Sequence, residues 1–312
     1  MRGVEAIGAP DGSRMNNPPS VGGRTVVEIG RNTEQRVVPW KGMRTTPSAV
    51  TFDLWHTLVY LDPDSEDEYM AEQVEVAVRA LEGCEPLPGL PRAGPTELRS
   101  AFEREFSLAI ASAGEGRTVT PVDQFARAAH AGGRVPEPQT YLATLEELVR
   151  GTPFLVAPGA LSALRELRSL GYRVGVISNT VGEPGRFFRP VLHRLGFDES
   201  VQSYLFSDEH PWAKPAPEIF RAALTELGSD PAHSVHIGDG WSDLEGARRS
   251  GLRAGVRFTG LGQYGARYRR LNFSGCRGPP VSEHTIADLA DVVPTVERLL
   301  PIGAQERSRD RG

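Results

Sequence analysis

Residues 49–60 read AVTFDLWHTLVY, and this stretch decides the fold. Ala49, Val50 and Phe52 form a short apolar run of the kind a buried strand carries, and the run delivers one carboxylate, Asp53, to its end. Trp55, His56 and Thr57 follow, a turn rich in side-chain chemistry. An extended chain sends successive side chains to opposite sides, which would turn His56 away from Asp53 and make it a structural or rim residue.

Beyond the turn the periodicity becomes helical. Ser65 with Glu68 three residues on is a capping-box signature, and Met70, Val74, Ala77, Val78 and Leu81 make one apolar face. Leu98, Phe102, Phe106 and Ile110 recur every four residues. Thr120 before Pro121 marks a third helix start, and Tyr141, Leu145 and Leu148 mark a fourth helix. Residues 62–155 therefore read as an all-helical insertion whose stripes are packing faces. From about residue 156 helices and strands alternate. ALSALRELRSLG (160–171), PEIFRAALTELG (217–228) and DLEGARRSG (243–251) are helical; YRVGVISNT (172–180), SVHIGDG (234–240) and RAGVRF (253–258) are strands. Such alternation with short buried strands predicts an α/β fold, a parallel sheet covered on both faces. Ligands of such sheets bind beyond the carboxyl ends of the strands, where Asp53 lies.

The chain has 312 residues, 39% of them hydrophobic, and a net charge of −5, so it can bury a core and has no basic footprint for nucleic acid. Two cysteines, Cys84 and Cys276, make no disulfide framework and suit a reducing compartment. With no apolar run of transmembrane length and no apolar signal core near the start, the expected location is the cytoplasm, away from membranes. Residues 1–46 carry seven basic and four acidic residues without sustained periodicity and read as a disordered extension. Residues 301–312 read as a frayed tail. Tyr264 and Tyr268 with Arg267, Arg269 and Arg270 read as a solvated surface loop, and His210, His233 and His236 show no ligand spacing. Of the 35 basic residues 33 are arginine; Lys41 and Lys214 are the exceptions.

Four polar clusters follow the predicted strands: Asp53 with Thr57, Ser178 with Asn179, Lys214 in KPAPEIF, and Asp239 with Asp243 in HIGDGWSD. Their chemistry is coherent for a phosphate ester. Asp53 can attack phosphorus. A trianionic group beside three carboxylates needs positive charge, which a hard divalent cation on Asp53 and Asp239 supplies; Mg²⁺ suits a few carboxylates. Lys214 adds a fixed cation, and Ser178 adds a hydroxyl donor. Lysine here suggests a compact point charge, since this chain otherwise uses arginine. Taken singly, Asp53 reads as a strand-end cap, Ser178-Asn179 as turn chemistry, and Asp243 as a helix cap.

The order and spacing of FDLWHTL, ISN, KPAP and GDGWSD resemble the haloacid dehalogenase superfamily of hydrolases, over roughly residues 49–300. The resemblance implies a three-layer Rossmann-like core (47–61 and 156–300) and a helical cap inserted after the first motif (62–155). It further implies Asp53 as nucleophile, with Ser178 and Lys214 holding the transferred group and Thr57 and Asn179 lining the substrate site. Asp239 would ligate Mg²⁺ with Asp53 and the backbone carbonyl of Trp55, and Asp243 would complete or orient that site.

One position departs from the pattern. Many phosphatases of this family carry an acid two residues after the nucleophile, as proton donor to the leaving oxygen; here Trp55 stands there. Dehalogenating members carry an aromatic residue at that place, but they need no metal and do not keep the glycine–aspartate pair. Members that cleave phosphonates use a cap lysine, and residues 62–155 contain none. The expectation is a Mg²⁺-dependent phosphatase acting on a small phosphorylated molecule with an incomplete acid–base apparatus, suited to good leaving groups such as acyl or aryl phosphates, with an acid from the segment 62–68 as a candidate substitute donor. A 2-haloacid dehalogenase and a weakly catalytic binding module are the alternatives.

Overall fold

The computed structural model describes residues 46–261 and 282–301. The extension up to residue 45, the loop with Tyr264 and Tyr268, Cys276, and residues 302–312 of the tail lie outside the described residues. The chain enters through β1 (Ala49–Phe52), turns, and forms β2 (Val59–Tyr60), which pairs antiparallel with β3 (Leu155–Val156). Between β2 and β3 lie four helices: α1 (Pro63–Gly83), α2 (Pro95–Gly114), α3 (Pro121–Ala131) and α4 (Pro138–Gly151). The two-stranded ribbon thus ties off both ends of the helical insertion, at the residues where the periodicity changes.

After β3 helices and strands alternate: α5 (Ala160–Ser169), β4 (Arg173–Ser178), α6 (Phe188–Arg194), β5 (Ser203–Phe206), α7 (Pro217–Leu227), β6 (Ser234–Gly238), α8 (Trp241–Ser250), β7 (Ala254–Phe258), β8 (His284–Ile286) and α9 (Val292–Leu299). β1 and β4 to β8 form one parallel sheet in the order β5-β4-β1-β6-β7-β8. Alternate strand residues go to opposite faces. Val50, Phe52, Val174 and Val176 join Leu164 and Leu167 of α5 and Val292 and Val296 of α9 in one apolar cluster. Ile177 and Leu205 join Ile219, Phe220 and Ala223 of α7 in another. Burying each such aliphatic or aromatic side chain contributes about 1.5–3 kcal/mol. The result is the expected three-layer Rossmann-like core. β1 sits between β4 and β6, so the strand order reverses beside it, and its carboxyl end opens into the crevice of the sheet.

The insertion is helical as expected, with two local corrections. Asp62, not Ser65, caps α1: its carboxylate accepts the Ser65 N–H at 3.1 Å, and Pro63 takes the first turn, where a missing N–H costs nothing. The inward face of α1 is also rotated by one residue. Tyr69, Gln73, Val76, Ala77 and Leu81 are buried, whereas Met70 and Val74 are only half-buried. Two polar-tipped residues hold the inner face because it also walls a polar pocket, described below. α3 starts as expected, with a capping box between Thr120 and Asp123. Among the described residues no helix is long and apolar enough to cross a membrane.

Candidate active site

The backbone N–H of Asp53 donates to Ile237 O at 2.8 Å, continuing the β1–β6 ladder by one residue and fixing the carboxylate at the crevice. The chain then reverses: Leu58 and Val59 both donate to Leu54 O, and His56 adopts φ +57°. This turn overturns the expectation of an extended segment. His56 is buried, and its Nε2 pairs with Glu66 Oε1 of α1 at 3.1 Å, so of the two readings, structural or rim, it takes the structural one. Among the acids of 62–68, Glu66 is the buried one.

Lys214 arrives on the loop after β5. Its backbone is held by Asn179, whose Nδ2 donates to Lys214 O at 2.9 Å and whose Oδ1 accepts the Lys214 N–H at 2.7 Å. Asn179, expected to face substrate, uses both ends of its amide to position the lysine and also lines the pocket beside the turn. The ammonium has three donors and uses all three: on Asp53 Oδ1, on Asp243 Oδ1 at 2.7 Å, and on Ile177 O at 2.8 Å. Asp243 sits in the first turn of α8, where its Oδ2 accepts the Gly240 N–H at 2.9 Å; it is a helix cap as well as a site residue. Its Oδ1 also meets His236 Nε2 at 3.2 Å, and His236 Nδ1 meets Thr51 Oγ1 at 2.9 Å. His236 is thus a fully buried support for Asp243, not the ordinary histidine expected. The signal was a lone imidazole in an otherwise apolar strand. Ser178, buried, ends β4 next to β1. Thr57 is fully buried, and its hydroxyl has no hydrogen-bond partner among the described residues.

Carboxylate oxygens of Asp53, Asp239 and Asp243 lie within 4.8 Å of one another. Residues 47–251 match the family model of haloacid dehalogenase-like hydrolases. The chain belongs to that family. A glyceraldehyde 3-phosphate phosphatase of Pyrococcus abyssi is 36% identical over 31% of this chain and 40% of its own length. A phosphonoacetaldehyde hydrolase of Bordetella avium is 32% identical over 46% of this chain and 57% of its own. The chain thus spans only about half the length of the curated relatives it matches. A crystal structure of a HAD phosphatase from Thermococcus onnurineus superposes with a TM-score of 0.52 at 21% identity, covering 80% of this chain and 97% of that one; it shares the fold.

In this haloacid dehalogenase-like hydrolase three clustered carboxylates face one buried ammonium. Burial, then the charges of Asp243 and Asp239, push the Asp53 carboxyl up to about 7 against the pull of Lys214. Burial works against ionisation of Asp243 too, but Lys214 and His236 outweigh it and hold that carboxyl below the usual range. Burial lowers the pKa of His236 against the pull of Asp243. The imbalance of charge, with hard oxygen ligands only, fits a small divalent cation held by Asp53, Asp239 and Asp243.

Two glycines let the parts approach. A Cβ on Gly238 would meet Asp243 Cγ at 2.4 Å, and one on Gly182 would meet Gln73 Oε1 at 2.6 Å. Gly238→Ala should therefore displace the Asp243 carboxylate and lower turnover by about 10²-fold, the usual cost of a misplacement near 1 Å. Circular dichroism should show the fold retained; near-normal turnover would mean that Asp243 needs no such exact seat. Trp55 meets Phe154 and Phe188 edge-on at 5.4 and 5.7 Å and Tyr69 at 6.2 Å, joining the turn after Asp53 to α1 and α6.

Proposed function

We propose that this hydrolase is a Mg²⁺-dependent phosphatase of small phosphomonoesters, with Asp53 as nucleophile and residues 62–155 as the cap over its site. The observation that carries the reading is the ammonium of Lys214 shared between Asp53 and Asp243, with Asp239 alongside, at the carboxyl ends of the central strands. The phosphatase among the matched relatives points the same way.

Asp53 attacks phosphorus, the P–O bond to the leaving group breaks, and an aspartyl-phosphate forms that water then hydrolyses. Lys214, fixed through Asn179, neutralises the carboxylates between which the phosphoryl group must enter, and Ser178 offers a hydroxyl to one of its oxygens. Mg²⁺ on Asp53, Asp239 and Asp243, with the Trp55 carbonyl as a further ligand, would supply the remaining positive charge. Trp55 carries no acidic proton, so leaving groups that depart as stable anions should react best. The phosphonate route finds no lysine in the cap.

Hydrolysis of an aryl phosphate should require Mg²⁺ and cease in chelator, and Asp239→Asn should cost more than about tenfold, since the site has few carboxylate ligands. Proton and cation compete for Asp53, whose carboxyl lies at about 7 without a metal. Mg²⁺ affinity, read by calorimetry, should accordingly rise as pH increases through that value. Full activity in chelator, with halide released from a 2-haloacid, would favour dehalogenation, the reading that Trp55 alone supports, because a halide leaves without a proton.

A further inference from the structure

Next to the nucleophile turn, between α1 and the loop after β4, lies a cavity of about 50 Å³. Two acids, Glu66 and Glu183, line it, with Trp55, Tyr69 and Phe106 as aromatic walls. No lysine or arginine lines it, although arginine is abundant in this chain. Each amide or imidazole group along the wall already makes a hydrogen bond. Asn179 holds the Lys214 backbone, Gln73 Nε2 donates to Glu183 at 2.5 Å, and His56 pairs with Glu66. The acceptors are not spent. Glu183 is buried with no basic partner among the described residues, and the buried Tyr69 hydroxyl lies within reach of Gln73.

We propose that this pocket receives an ammonium group on the leaving side of the substrate, so that the preferred substrates are phosphomonoesters of small amino alcohols. The inference rests on the phosphatase reading. A primary ammonium brings three N–H donors and no acceptor, which matches a pocket of two carboxylates and a phenol oxygen. The aromatic walls favour a cation over an anion through their ring faces. Burial, opposed by the Gln73 hydrogen bond and helped by Asp208, pushes the Glu183 carboxyl up to about 7; a bound ammonium would supply the counter-charge it lacks. A second anionic group on the substrate would meet the buried Glu183 carboxylate, with no lysine or arginine to receive it. The chemistry also bears on Trp55. A β-ammonium makes the departing alkoxide less basic than that of a plain alkyl ester, which eases its departure where Trp55 offers no proton. A wider cleft of about 440 Å³ between α1 and α2 shares Gln73, Phe106 and Gly182 with the pocket.

The test uses the full chain with Mg²⁺ and a matched set: aminoethyl phosphate, its neutral isostere propyl phosphate, phosphoglycolate, and an aryl phosphate as reference. Aminoethyl phosphate should exceed propyl phosphate in kcat/KM by about 10–100-fold, the value of one or two charge-assisted hydrogen bonds, and exceed phosphoglycolate by more. Glu183→Gln should pull the aminoethyl-to-propyl ratio towards one, chiefly through KM. Equal rates on the isosteres, or a ratio unmoved by Glu183→Gln, would overturn the proposal while leaving the phosphatase reading intact. Calorimetry with aminopropylphosphonate against butylphosphonate reads the same preference without turnover. Loss of all phosphatase activity with retained preference for the aminophosphonate would fault the function and keep the pocket; equal affinity would refute the pocket.

Discussion

With Asp53 replaced by asparagine, hydrolysis of an aryl phosphate falls by at least about 10⁴-fold, as expected when the group that bonds to the substrate is removed. An amide oxygen is no useful nucleophile toward phosphorus. The loss should be catalytic and not structural. Asparagine has nearly the same shape, and the backbone N–H of residue 53 still donates to Ile237 O. The substitution also removes one of three crowded carboxylates, while Lys214 keeps Asp243 and Ile177 O as partners. Circular dichroism and thermal melting should therefore show a folded protein at least as stable as the wild type. Turnover within tenfold of normal would place the nucleophile elsewhere.

Lys214→Arg should fail almost as badly, with activity down by more than about 10²-fold. The ammonium is almost entirely buried and aims three donors at three acceptors, two carboxylates and a strand carbonyl. A guanidinium is planar and larger, and forcing it into this space costs about 1–3 kcal/mol of overpacking. Lys214→Met fits the volume better but leaves Asp53 and Asp243 without their cation. Breaking a buried pair in that way costs about 3–5 kcal/mol, so its melting temperature should fall further than that of the arginine variant. Near-normal turnover of Lys214→Arg would show that the ammonium does not touch the transferred group.

Most of the fold was legible in the sequence because its strands are short, apolar and separated by helices with clear stripes. The four helices of the insertion and the strands ending at Asp53, Ser178 and Gly238 stand where the periodicity put them. β5 and β8 escaped notice because SYLF and HTI are too brief to carry a period. α6 contains a proline and runs for 7 residues. The site's charged members were readable because carboxylates and a rare lysine at strand ends have few other uses. Their supports were not. Thr51 and His236 act through a contact between neighbouring strands 185 positions apart, and Glu183 reaches Gln73 across 110. The turn at His56 was not foreseen, because a left-handed residue reversed a chain that alternation had treated as extended.

The account turns on a covalent bond to Asp53. Enzyme mixed with a phosphorus-labelled aryl phosphate and Mg²⁺, quenched in acid during turnover and digested, should retain label on the peptide that contains Asp53, and Asp53→Asn should retain none. Steady turnover with no label on that peptide, or label unchanged in the Asp53→Asn variant, would contradict it.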